Sequence, residues 1–92
     1  MAVDRVKHRR YPARVMAEIA DHLDAVGLLC PLPVLKARKR LKGLPAGALL
    51  EMRADDPAAV IDVPHFCAEA GHALVETRED GAVQVYVIRK GG

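Results

Sequence analysis

The chain has no tryptophan, one phenylalanine and two tyrosines, so aromatic residues make up only 3% of its 92 positions. That scarcity argues against a ligand cage walled by rings, and it leaves the core to Leu, Val, Ile and Ala. Cysteine is equally sparse, with Cys30 and Cys67 alone. One pair cannot staple a domain of this size in the manner of small secreted proteins. The spacing matches no CxxC zinc or redox pattern, so the expected compartment is a reducing cytoplasm. No stretch approaches the roughly 20 apolar residues of a membrane-crossing helix. The basic N-terminus (Arg5, Lys7, Arg9, Arg10, Arg14) is not followed by the apolar run of about 7 to 15 residues that a secretory signal requires. His8, His22, His65 and His72 show no zinc-site spacing, so neither a metal nor a cofactor is expected.

What is present suits a single domain. Hydrophobic residues are 51% of the chain, and a domain near this length buries roughly two-thirds of its unfolded surface. The formal net charge of +2 conceals an asymmetry. Residues 1–43 hold ten Lys/Arg against four Asp/Glu, and residues 44–80 hold two against eight. Such a distribution can steer a partner of opposite charge without any net excess, although solvated helix and loop faces account for it equally well.

The periodicities define six elements. Residues 22–26 alternate as a short strand ended by Gly27. A helix starts at Pro31, with Val34, Ala37, Leu41 and Leu44 at helical spacing and Gly43 and Pro45 as its stop. Residues 48–54 alternate with period two. Asp56 and Pro57 then read as the cap and first position of a second helix to about Ala70, with Val60, Val63, Cys67 and Ala70 on one stripe, a kink or restart at Pro64 and Gly71 as the stop. Residues 73–89 alternate on both sides of Asp80-Gly81, a tight-hairpin signature. The order β-α-β-α-β-β is too short for a doubly wound sheet. It implies a two-layer α/β sandwich, a mixed four-stranded sheet with both helices on one face.

The segment Val26-Gly27-Leu28-Leu29-Cys30-Pro31-Leu32-Pro33 places a thiol between a strand end and a helix start. With Cys30 as N-cap, the unpaired N–H groups of the first turn and the helix dipole favour an anion on sulfur, the reactive form of cysteine. Pro31 restricts the backbone at Cys30. Neither Pro31 nor Pro33 brings an N–H, which leaves Leu32 and Val34 as local donors. The dipole supplies about 0.3–1 kcal/mol and a pKa unit is about 1.4 kcal/mol, so it moves the thiol by less than one unit. The helix terminus alone therefore does not make Cys30 a strongly activated nucleophile. Free cysteines are also among the most buried residues, so a small apolar filler is the competing reading of Cys30. Cys67, on the apolar stripe, reads as a core thiol, and the two cysteines are not expected to pair.

The pattern Asp24-x-x-Gly27-x-x-Cys30-Pro31-x-Pro33 resembles the signature of the TusA/SirA-like sulfurtransferase family. The similarity continues through Ala54-Asp55-Asp56-Pro57, Asp62-Val63-Pro64-His65-Phe66-Cys67, Gly71-His72 and Ile88-Arg89-Lys90-Gly91-Gly92, covering residues 21–92 and nearest the TusA branch. Residues 1–20 lie outside it, as a basic arm or a short helix over residues 13–20, with Met16 an alternative start. The resemblance implies that Cys30 bears a persulfide, received from a cysteine desulfurase and passed to an acceptor protein, in TusA itself toward 2-thiouridine in tRNA. Related carriers serve sulfur oxidation or molybdenum-cofactor assembly. Gly27, Pro31 and Pro33 would position the thiol. Many relatives have a polar or basic residue before the cysteine, where this chain has Leu29, and Leu32 stands between its prolines.

Partner docking is expected on the basic helix face of Lys36, Lys39 and Arg40, by a monomer acting on tRNA only indirectly. Direct RNA binding is the alternative class, since phosphate neutralisation needs clustered Lys/Arg. With Tyr11, Tyr86 and Phe66 the sole aromatics, base stacking has few candidates. The terminal Gly91-Gly92 resembles ubiquitin-like carriers activated as C-terminal thiocarboxylates. The element order and the Cys-Pro-x-Pro motif do not fit those carriers, and a disordered tail is the expectation.

Overall fold

The computed structural model describes residues 18–92. The elements are β1 (Ile19–Asp24), α1 (Leu32–Lys42), β2 (Leu49–Ala54), α2 (Ala59–Ala70), β3 (Ala73–Asp80) and β4 (Val83–Arg89). They form the expected order and a four-stranded mixed sheet arranged β1-β2-β4-β3. The β1–β2 pair is parallel, while β2–β4 and β3–β4 are antiparallel.

Both helices cover one face, as the element order implied. On α1, Pro33, Ala37 and Leu41 are buried at four-residue spacing, and Val34 and Leu44 pack beside them. They meet Leu23, Ala25, Leu50, Met52, Ala54, Tyr86 and Ile88 from the sheet and Ala59, Val63, Phe66 and Cys67 from α2. The opposite face carries a smaller cluster, Leu49, Val85 and Val87 with Ile19 against it, to which no helix among the described residues contributes.

Several boundaries differ from the sequence reading. β1 begins at Ile19 rather than residue 22, because its parallel register against β2 pairs Ile19 with Leu49. Ile19 and Ala20 therefore belong to a strand, not to a helix over 13–20; Glu18 is helical as expected, and residues 13–17, with Met16, lie outside the described residues. The strand read over 48–54 starts at Leu49.

The second helix starts at Ala59, not Pro57. Its buried face is Ala59, Val63, Phe66 and Cys67, whereas Val60 and Ala70 are exposed. The spacing named a stripe rotated by part of a turn, since Ala59 and Phe66 take the inner positions. Pro64 sits inside a helix assigned as continuous. Only one ladder bond is lost there, and the helix is held by its packed side instead. Gly71 ends it in the left-handed region at φ 82°, with the His72 N–H bonded to the Cys67 carbonyl. The hairpin loop is Gly81-Ala82, one residue beyond the pair expected. Asp80 is still in register with Val83, and only Gly81 takes a positive φ, 67°.

Candidate functional site

Parallel pairing of β1 and β2 puts the C-terminal ends of both strands at one edge of the sheet. The loop carrying Cys30 therefore meets the junction Asp55-Asp56-Pro57. The Ala25–Leu28 turn closes with the Leu28 N–H on the Ala25 carbonyl, 3.2 Å, and requires Gly27 at φ 88°. Asp24 accepts from the Val26 N–H at 3.0 Å, Asp55 from the Gly27 N–H at 2.9 Å, and Asp56 from the Cys30 N–H at 2.6 Å. Asp56, 8% exposed, uses its other oxygen on the Ala58 N–H at 3.2 Å. The cap position of α2 is Ala58, without a side-chain cap bond, and not Asp56 as expected; the Asp56 carboxylate instead holds the turn before the helix and anchors the cysteine loop.

Cys30 itself is exposed, and its peptide bond to Pro31 is cis. It is not the N-cap. Pro31 holds that position, without a side-chain cap bond, and the Leu32 N–H is taken by the Leu29 carbonyl at 2.8 Å. The expected anion-stabilising donor at Leu32 is therefore already engaged. The thiol is correspondingly pushed up rather than down, by its hydrogen bond to the Asp62 carboxylate first, then by partial desolvation and by the negative charges of Asp62 and Asp56. Pro31 is exposed and Pro33 fully buried, so the second proline fastens the helix start to the core. Leu29 is 67% exposed and Leu32 45%, which leaves an apolar rim around the thiol.

Beside Cys30 lies a hollow of about 250 Å³ between the helices, lined by Pro31, Val34 and Arg38 of the α1 side and Asp62, His65, Phe66 and Glu69 of α2. Arg38 stacks over Phe66 with its guanidinium carbon 5.1 Å from the ring centre. Phe66 is buried and also meets His72, 5.6 Å between ring centres.

Cys67 is buried in the core and free, its thiol pushed up to about 11 by burial. Of the histidines, His22 bonds Glu51 at 2.7 Å and His65 faces Glu69 at 3.5 Å. The His72 Nδ1 accepts from the Gly91 N–H at 2.9 Å, and burial with Lys90 and Arg38 nearby holds its pKa below the usual value. Among the described residues no group of three or more metal-ligating side chains converges. Gly91 also lies against the Gly71 carbonyl, so closely that a Cβ would overlap it at 1.8 Å. The terminal dipeptide is therefore held at Gly91, contrary to the disordered tail expected.

Lys36, Lys39 and Arg40 are exposed on α1 and border a second hollow of about 440 Å³ with Asp21, Leu23, Gly43 and Leu44. Arg40 is bonded to the Asp21 carboxylate at 3.0 Å and the His22 carbonyl at 3.1 Å, so it stitches α1 to β1 while the two lysines face outward. The sequence reading missed Asp55, Asp62 and Arg38 as neighbours of the cysteine loop and took Asp56 for a helix cap alone. The available signal was the pair of carboxylates at a strand end, which a parallel β1–β2 pairing would have brought beneath Cys30.

Compared with known proteins, residues 21–90 match the family model described as sulfurtransferase TusA. A solved structure, that of a SirA-like protein from Desulfitobacterium hafniense, is similar with a TM-score of 0.69 and 27% sequence identity. The match covers 78% of this chain and 99% of that one.

Proposed function

The chain belongs to the sulfurtransferase TusA family, whose members act in sulfur transfer, and from that membership we propose that it carries sulfur as a persulfide on Cys30. The sulfur comes from a cysteine desulfurase and goes to an acceptor protein, on the way to 2-thiouridine in tRNA. The observation that carries the reading is the contrast between the two thiols. Cys30 is exposed on a loop whose N–H groups are bound by three carboxylates, and Cys67 is sealed in the core.

In loading, the Cys30 sulfur attacks the outer sulfur of the donor's persulfide. An S–S bond forms at Cys30 as the donor's S–S bond breaks, and the donor leaves as a thiol carrying the proton that Cys30 gave up. No net oxidation occurs, so no redox cofactor is needed. The raised pKa of the empty thiol fits a carrier that rests unreactive and ionises only in contact with its donor. Lys36 and Lys39, exposed on the flank of α1 that faces β1, supply the positive face on which an acidic partner surface docks.

Incubation with a desulfurase and cysteine, followed by peptide mass spectrometry, should place a sulfur adduct on Cys30, absent from Cys30→Ser. An adduct on Cys67, or one that persists in Cys30→Ser, would falsify the assignment.

A further inference from the structure

We propose that the hollow between α1 and α2 is a cradle for the outer sulfur of a Cys30 persulfide, with Asp62 the hydrogen-bond acceptor of the empty thiol and Arg38 the counter-ion of the loaded one. The inference rests on Cys30 being the residue that carries sulfur. The hollow opens at Cys30 itself, and its volume of about 250 Å³ is several times that of a water molecule, ~30 Å³. It therefore accommodates a further sulfur atom with some hydration.

The charges around it are ordered. Asp62 and Asp56 act on the empty thiol, and both favour its neutral form. Arg38 lines the same hollow from α1. Its guanidinium is held by stacking on Phe66, and no carboxylate of the described residues forms an ion pair with it. His65 is turned toward Glu69, 3.5 Å away, so that carboxylate faces the histidine.

A perthiol is more acidic than the thiol it replaces, and its ionisable sulfur lies one S–S bond further from the backbone. The charge of the loaded form is thus displaced from the loop into the hollow. There Arg38 is a cation with no carboxylate partner among the described residues, and a weakly hydrated guanidinium suits a soft, diffuse anion. As the sulfur enters, the Cys30 proton passes by way of Asp62 to the departing donor thiolate. Asp62 ends as it began, and proton and electron counts are unchanged. Asp62 and Arg38 are then positioning residues of opposite effect, one quieting the empty carrier and the other stabilising the full one.

The test follows the two states separately in the full chain. For the empty state, the rate of Cys30 alkylation by iodoacetamide is measured against pH in a background where Cys67 is Ala. Asp62→Asn should move the midpoint to lower pH and raise the rate at pH 7 by roughly threefold or more, because more of the thiol is then ionised. Arg38→Gln should leave that profile in place. For the loaded state, Cys30 is converted to the persulfide chemically, by sulfide acting on its mixed disulfide, so no partner protein is required. Arg38→Gln should then raise the midpoint of persulfide alkylation, and Arg38→Lys should restore part of the shift. Circular dichroism melting confirms that each variant is folded. An unmoved empty-state profile in Asp62→Asn, or an unmoved loaded-state profile in Arg38→Gln, overturns the cradle. Failure of the carrier reading would show elsewhere, as no adduct on Cys30 from any protein donor.

Discussion

At the scale of single residues, Asp56 ties the site to the scaffold. Its two oxygens hold the Cys30 N–H at 2.6 Å and the Ala58 N–H at 3.2 Å, and it is the buried charged side chain among the described residues. Its cost in desolvation is met by those two donors, and removing it leaves both without a partner. Asp56→Ala should lower stability by about 1–3 kcal/mol in urea unfolding, the range for donors left unsatisfied when a buried partner is removed. Asp56→Asn keeps one acceptor and should recover part of it. Amide exchange at Cys30 should quicken in the alanine variant, and unchanged exchange there would separate the carboxylate from the loop it is taken to anchor.

Among the elements, α1 is fixed at both ends, at its start by its own proline and at its end by a residue far away in sequence. Its start is pinned by buried Pro33, and its end by Lys90, whose Nζ donates to the Leu41 carbonyl at 2.7 Å and the Leu44 carbonyl at 2.8 Å. A cation on the last carbonyls of a helix satisfies acceptors that have no internal partner and complements the dipole. The Lys90 backbone also pairs with the loop before β2, through Gly47 and Ala48. Lys90→Met retains the aliphatic stem and removes the charge. It should cost about 1–3 kcal/mol in thermal or urea unfolding and speed exchange of the Gly43 and Leu44 amides. Equal stability in the variant would show that water replaces the ammonium without penalty.

For the whole molecule, the charge asymmetry acquires a direction. The basic face of α1 projects Lys36 and Lys39 on the helical layer that also carries the Cys30 hollow, while Arg40 is spent on Asp21. Exposed charges of this kind affect encounter more than final affinity, and salt screens them. Reversing both lysines to Glu should leave the melt unchanged and slow loading from a desulfurase by roughly tenfold at low ionic strength, with the gap closing as salt is added. If wild-type protein instead binds tRNA tightly at physiological salt and the double variant loses that binding, the basic face belongs to nucleic acid.

What the sequence determined by itself was local or periodic. The element order, the helix stripe of Ala37 and Leu41, the glycine stop at Gly71, the placement of Cys30 between strand and helix and that of Cys67 in the core all follow from short-range chemistry. Period and punctuation are encoded within a few residues. The tertiary structure alone decided which strands run parallel, and with that the meeting of the Cys30 loop with Asp55, Asp56 and Asp62. It also reversed the expected effect on the thiol, since a helix terminus is visible in sequence but carboxylates folded in from 26 or more residues away are not. Gly91 is the same lesson at the chain's end, where a dipeptide that reads as a loose tail is seated by His72 and the Gly71 backbone across the sheet edge. A pairing between distant segments depends on how the sheet closes, and no local pattern carries that information.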